Sequence, residues 1–188
     1  MKHPIHQFVH TLSYGDAISG EVLALQRVFR SAGIVSEIYC INVHPKLKGQ
    51  AHDYREFSSR EGAGFSGEVI HHYSLGSPLN ALYLELTSAR RTLVFHNLTP
   101  SHWFDGINPR IVEDIESGKR ELPGLLRVSH RVLADSLYNA SELAELGFQA
   151  EVLELPVDPA RWDLPSNPGI AQLLQSKPAI DVLHVGRL

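Results

Sequence analysis

Three short stretches of this chain carry side chains whose type and placing could do chemistry. Tyr14-Gly15-Asp16 sits where an extended apolar segment gives way to a helical one. A glycine there lets backbone N–H groups approach a ligand closely, and the start of the following helix favours an anion. The same residues also make a plain turn, with Asp16 or Ser13 as the helix cap. His96-Asn97 closes RTLVFH, the clearest buried strand of the chain. A histidine in that place either faces a cleft and hydrogen-bonds a polar ligand or is a satisfied structural side chain. His71-His72 ends a similar segment, but neighbours on a strand point to opposite faces and do not easily ligate one metal. His3, His6 and His10 lie partly within a strand, where helical spacing has no meaning, so no metal site is expected.

Other patterns carry less. Gly62-Ala63-Gly64-Phe65-Ser66-Gly67 spells the dinucleotide fingerprint letter for letter. That motif needs a strand before it and a helix after it, whereas here a loop precedes and a strand follows, so the segment reads as a loop. Asn97-Leu98-Thr99 and Asn139-Ala140-Ser141 fit the glycan-acceptor pattern, yet no secretory signal precedes them and both read as coincidence. Cys40, the single cysteine, excludes an internal disulfide and a cysteine-based zinc site, and reads as a small apolar core residue in a reducing cytoplasm. No nucleophile elbow or Ser-His-Asp order is evident.

The elements that would position these residues alternate. Residues 5–12, 34–42, 68–72, 91–96, 131–135, 150–155 and 180–185 read as strands. Helices are expected over 17–32, 78–89 and 108–131, the last divided at Pro123-Gly124. A further helix has Asn139 as N-cap and Glu142 as its capping-box partner, and ends at Gly147. Residues 43–66 read as a long loop, and the proline-rich 156–178 as a linker. Strand–helix alternation without hairpin signals predicts an α/β fold with a mostly parallel sheet and helices on both faces. Ligands in such sheets bind beyond the carboxyl ends of the strands, which directs attention to 13–19, 71–76, 96–102 and 135–139.

Composition sets the bounds. The 188 residues suit one domain with a substantial core. A net charge of −4 argues against nucleic acid as a partner, since phosphate binding favours a basic chain. The 11 histidines would carry that charge from −4 to +7 if all were protonated. No apolar run is long enough to cross a membrane.

Several stretches together resemble the N-terminal domain of a retaining glycosyltransferase of family 4, with the GT-B fold. They are VLADSLYNASELAELGF (132–148) with VLELPVD (152–158), LVFHNLTP (93–100), the turn and helix from Tyr14 to Gly33, and LHVGRL (183–188), in the family's order along nearly the whole chain. The resemblance implies two Rossmann-like domains facing across a cleft, the first holding the acceptor and the second most of a nucleotide-sugar donor, with no metal and no cofactor. It implies residues 1–164 as the acceptor-side domain, 165–179 as a linker and 180–188 as the first strand of a donor domain whose remainder is missing, so that the chain is the first half of an enzyme. His96 matches a histidine that contacts the donor sugar near the reacting carbon. Gly15 and Asp16 match the loop that approaches the diphosphate, although the family's paired glycines are here Tyr14-Gly15-Asp16-Ala17. Arg187 matches an arginine that neutralises that diphosphate. Tyr14, Ser19, Asn97 and His102 become acceptor-side candidates, with 43–66 contributing, and the acceptor is a glycan or a lipid-linked molecule reached by weak membrane contact at the inner face. The alternatives are a stand-alone sugar- or phosphate-binding module, marked against by the chain's end on a new strand, and a peripheral membrane scaffold using Arg27, Arg30, Lys46 and Lys48.

Overall fold

The computed structural model describes residues 2–62, 64–157 and 167–175. Residues 1–156 form one compact unit and 157–188 a second. In the first unit the chain runs β1 (Ile5–Leu12), α1 (Ala17–Ser31), β2 (Ile38–Val43), β3 (His52–Asp53), α2 (Phe57–Glu61), β4 (Glu68–Tyr73), α3 (Pro78–Glu85), β5 (Arg90–Phe95), α4 (Pro109–Val128), β6 (Arg131–Ala134), α5 (Leu137–Glu145) and β7 (Glu151–Val152). The seven strands make one sheet in the order β3-β2-β1-β4-β5-β6-β7, and every pairing is parallel. The fold is therefore α/β and Rossmann-like, as the alternation predicts. The chain winds outward from β1 to β3, then returns to the other side of β1 and winds outward again. The reversal between β1 and β4 opens a crevice at their carboxyl ends.

Alternation along the strands assigns the two faces. Phe8, Tyr39, Val69, Tyr73, Leu93 and Phe95 look toward a core shared with Phe57, Leu79, Tyr83, Leu122, Leu125 and Leu143 from α2 to α5. The opposite face carries Val9, Cys40, Ile70 and Val94, covered by Val22 and Phe29 of α1. His71 and His72 follow the same rule: His71 bonds Asn80 of α3, and His72 lies on the α1 side.

Several expectations are corrected. Residues 43–66 are not a plain loop; they hold 3-10 turns at Pro45–Leu47 and Tyr54–Glu56, the edge strand β3 and the helix α2. Each piece is too short to show a period, yet Phe57 and Phe65 pack into the aromatic core beside Phe8. The strand expected over 34–42 begins at Ile38, although Val35 and Glu37 already accept hydrogen bonds from β1. The helix expected to start at Asn139 starts at Leu137, because the Ser136 hydroxyl, not Asn139, accepts the N-terminal hydrogen bond. Within 156–178, Pro168–Gln175 form a helix, α6. The strand 180–185 and Arg187 lie outside the described residues.

Pro123 does not divide its helix either: α4 runs unbroken through it. The buried Leu122, Leu125 and Leu126 on either side hold the helix against the sheet, and that packing exceeds the cost of one lost backbone bond. Pro123→Ala restores the missing N–H and should raise stability by about 1–3 kcal/mol, read as a higher urea midpoint. A lower midpoint would show that the pyrrolidine ring contributes packing that outweighs its effect on the helix.

Candidate functional site

A cleft of about 320 Å³ lies at the carboxyl ends of β1, β4 and β5. Ser13 and Asp16 from the first loop, Ser74 from the end of β4, and Asn97 and Thr99 beyond β5 supply its polar lining. Ile18, Leu75, Phe104, Ile111 and Ile115 are among its apolar lining. His10 and His96 are the basic side chains; no lysine or arginine is among the described lining residues.

The first loop is held by its own polar groups. Gly15 takes φ +80°, which a residue with a side chain adopts only under strain. The Asp16 carboxylate accepts hydrogen bonds from the Ser19 N–H and hydroxyl, both at 3.0 Å, and the Ser19 hydroxyl accepts from the Ser13 N–H at 2.8 Å. Asp16 is thus the N-cap of α1 and places a negative charge where an anion would otherwise be favoured. Ser19 is buried as part of this cap.

His96 borders the cleft, but its ring is fully enclosed. One ring nitrogen, Nδ1, lies 3.3 Å from Asp135 Oδ2, and the other, Nε2, lies 3.1 Å from His72 Nδ1. His72 Nε2 in turn faces Gln7 Oε1 at 3.0 Å. On the other side Asn139 donates to Asp135, and Asn97 donates to Asn139. One polar chain, Gln7–His72–His96–Asp135–Asn139–Asn97, therefore ties β1, β4, β5, β6 and α5 together beneath the cleft. Asn97 stands at its end with φ +72°, the only described residue other than glycine in the left-handed region. Strain of that kind persists where the surroundings over-determine the backbone, and it concentrates at functional sites.

Glu21 of α1 enters the same chain from the side, its Oε2 3.4 Å from His96 Nε2 and 3.6 Å from His72 Nδ1. Its carboxyl group is buried, and among the described residues neither oxygen has a hydrogen-bond partner. Burial pushes Glu21 up to about 7, with the nearby His96 opposing the shift. Burial lowers His72 to about 3, and burial with the adjoining His72 lowers His96 to about 4.

The remaining candidates stand apart from this floor. Tyr14 is exposed, its ring tilted against His44 with Lys46 Nζ 4.4 Å from the ring centre. His102 lies in the 3-10 turn Ser101–Phe104 and packs on Trp103. Neither lines the cleft, and no residue of 43–66 does so among those described. Arg187 is outside the described residues. Reading the residues one by one found His96 and Asn97 but missed Glu21, Gln7, His72, Asp135 and Asn139 as their partners. Two signals were present: a glutamate inside the apolar stripe of α1, and a β4–β5 register that sets His72 opposite Val94 and so on the same face as His96.

Among the described residues no helix is long and apolar enough to cross a membrane. Compared with models of known protein families and with curated proteins, the chain matches none.

Proposed function

We propose that this chain is the acceptor-side domain of a retaining glycosyltransferase, which moves a sugar from a nucleotide-sugar to a glycan or lipid-linked acceptor. The observation that carries the reading is the cleft at the sheet reversal, lined both by hydroxyl, amide and carboxylate groups and by the apolar side chains of Ile18, Phe104, Ile111 and Ile115. A pyranose presents the same division: hydroxyl groups at its edge and C–H groups on its faces. The family resemblance of 93–100 and 132–158 supports the same reading, because these segments build the His96–Asn97 rim and the α5 end of the polar chain. Asn97, Thr99, Ser13 and Ser74 orient hydroxyl groups, and Asp16 sits where it can accept a hydrogen bond from an incoming alcohol.

The charge pattern fits a division of labour. Departure of the nucleotide places negative charge on a diphosphate, and that charge is best stabilised by preorganised cations and N–H donors. The described lining offers no lysine or arginine, and the Asp16 carboxylate opposes an anion at the start of α1. Most of the donor is therefore held by groups outside this cleft. The isolated chain should bind nucleotide-sugars with Kd no better than about 1 mM, or roughly −4 kcal/mol. Titration calorimetry with uridine, guanosine and thymidine diphosphate sugars tests this, and micromolar binding of any of them would place the donor site in this domain. The function itself is tested by radiolabelled-sugar transfer in the complete protein; no transfer and no donor hydrolysis with any of these sugars would overturn it in favour of a binding module.

A further inference from the structure

We propose that Glu21, His72 and His96 form a binding site for a divalent first-row transition-metal ion, buried beneath the floor of the cleft. The proposal goes beyond the sugar-transfer reading and assigns the ion no step in it.

The protonation pattern of the cluster follows from its outer partners. Gln7 Nε2 donates to the Val22 carbonyl at 3.0 Å, so turning the amide over would set two oxygens against each other. Gln7 Oε1 therefore faces His72 Nε2 as an acceptor, and that nitrogen carries the proton. The Asp135 carboxylate likewise fixes the proton of His96 on Nδ1. The nitrogens left over, His72 Nδ1 and His96 Nε2, both present lone pairs, and they face each other at 3.1 Å. The Glu21 carboxylate closes the triangle as a third acceptor, at 3.4 and 3.6 Å. Three acceptors thus converge in a buried place with no donor between them among the described residues.

A cation resolves this arrangement, and the geometry fits a metal. A triangle with sides of 3.1, 3.4 and 3.6 Å has its corners about 2.0 Å from a common centre, close to the Zn–N and Zn–O bond lengths. One proton bridges only two of the three atoms, while a metal ion serves all three. The outer hydrogen bonds are those that metal-bound histidines use: the second ring nitrogen of each donates to a carboxylate or amide oxygen. Two imidazoles and one carboxylate suit zinc, cobalt or ferrous iron rather than calcium or magnesium, and they leave a coordination position open. Such an ion would lock His96, and through it Asp135, Asn139 and Asn97, into one arrangement.

Cobalt(II) added to the 188-residue chain near neutral pH is the test. We expect visible d–d bands of tetrahedral intensity, saturating at a single equivalent and displaced by zinc(II). Glu21→Gln and His72→Gln should abolish the bands, Asp135→Asn should weaken cobalt affinity about 10–100-fold, and His44→Gln on the surface should change nothing. Should the buried variants fail to fold, nitrogen-15 spectra of the wild-type imidazoles serve instead: zinc should shift His72 Nδ1 and His96 Nε2 and leave their protonated partners as N–H. The proposal is overturned if the wild-type chain gives no such bands, if they persist in folded Glu21→Gln, or if zinc leaves both nitrogens unshifted, in which case a proton occupies the centre. None of these readouts depends on sugar transfer, so the two readings fail separately.

Discussion

Gly76→Ala should destabilise the fold by about 3 kcal/mol. Gly76 follows β4 and lies against the middle of α4, where its N–H donates to the Asp114 carbonyl at 3.1 Å. A Cβ there would collide with that carbonyl oxygen and stand 2.7 Å from the Gly118 nitrogen. Both are backbone atoms of a helix that the sheet already fixes, so neither can swing aside. The facing residue confirms the closeness: a Cβ on Gly118 would lie 2.8 Å from the Gly76 nitrogen and 3.1 Å from the Tyr73 hydroxyl, which itself donates to the Gly118 carbonyl. Gly118→Ala gains about 1 kcal/mol of helix propensity and should still lose on balance. Gly124, in the same helix with open space around it, is the control; its alanine variant should gain roughly 0.5–1 kcal/mol. Urea unfolding of the three variants gives the comparison. Equal midpoints for Gly76→Ala and Gly124→Ala would mean that the β4 turn and α4 are not in backbone contact.

That junction shows what the sequence made legible and what it did not. Ile5–Leu12, Glu68–Tyr73 and Arg90–Phe95 announce themselves as strands because each is a long apolar run bounded by turn residues, and from the alternation came the parallel sheet. The edge strand β3 and helix α2 did not, because two and five residues are too few for any period to show. Pro123 misled in the opposite direction: a strong local breaker was overridden by leucines that only tertiary contact makes relevant. Ser136 and Asn139 exchanged roles for a related reason. Both residues can cap a helix, and only the position of Asp135 and Asn97 gives the Asn139 side chain something better to do. The site follows the same division. His96 and Asn97 could be picked out by their place at a strand's end, whereas Glu21 and Gln7 acquire meaning only once α1 lies across β1, β4 and β5.

On the proposed reading as a glycosyltransferase domain, His96→Ala should lower sugar transfer about 10²–10³-fold, the range for losing a preorganised polar contact in an active site. The family resemblance implies contact with the donor, but the ring is enclosed and both its nitrogens are turned to Asp135 and His72. Its action is then positional. Alanine leaves the part-buried Asp135 Oδ2 without the His96 N–H, at about 1–3 kcal/mol for an unsatisfied group, and takes away the ring that faces His72 Nδ1. Asp135 is then free to turn, Asn139 loses its orientation, and Asn97 loses the hydrogen bond that helps hold it at φ +72°. A fold of ordinary stability, about 5–15 kcal/mol, survives that loss, so the variant should remain folded by circular dichroism while the rim of the cleft relaxes. Asn97→Ala supplies the comparison: it removes the end of the chain without emptying the core, and should reproduce most of the loss in kcat while costing about 1 kcal/mol of stability, because alanine tolerates φ +72° less well than asparagine. If His96→Ala turns over near normally, the histidine has no part in transfer. If its loss is matched by its unfolded fraction while Asn97→Ala stays active, the polar chain serves the core alone.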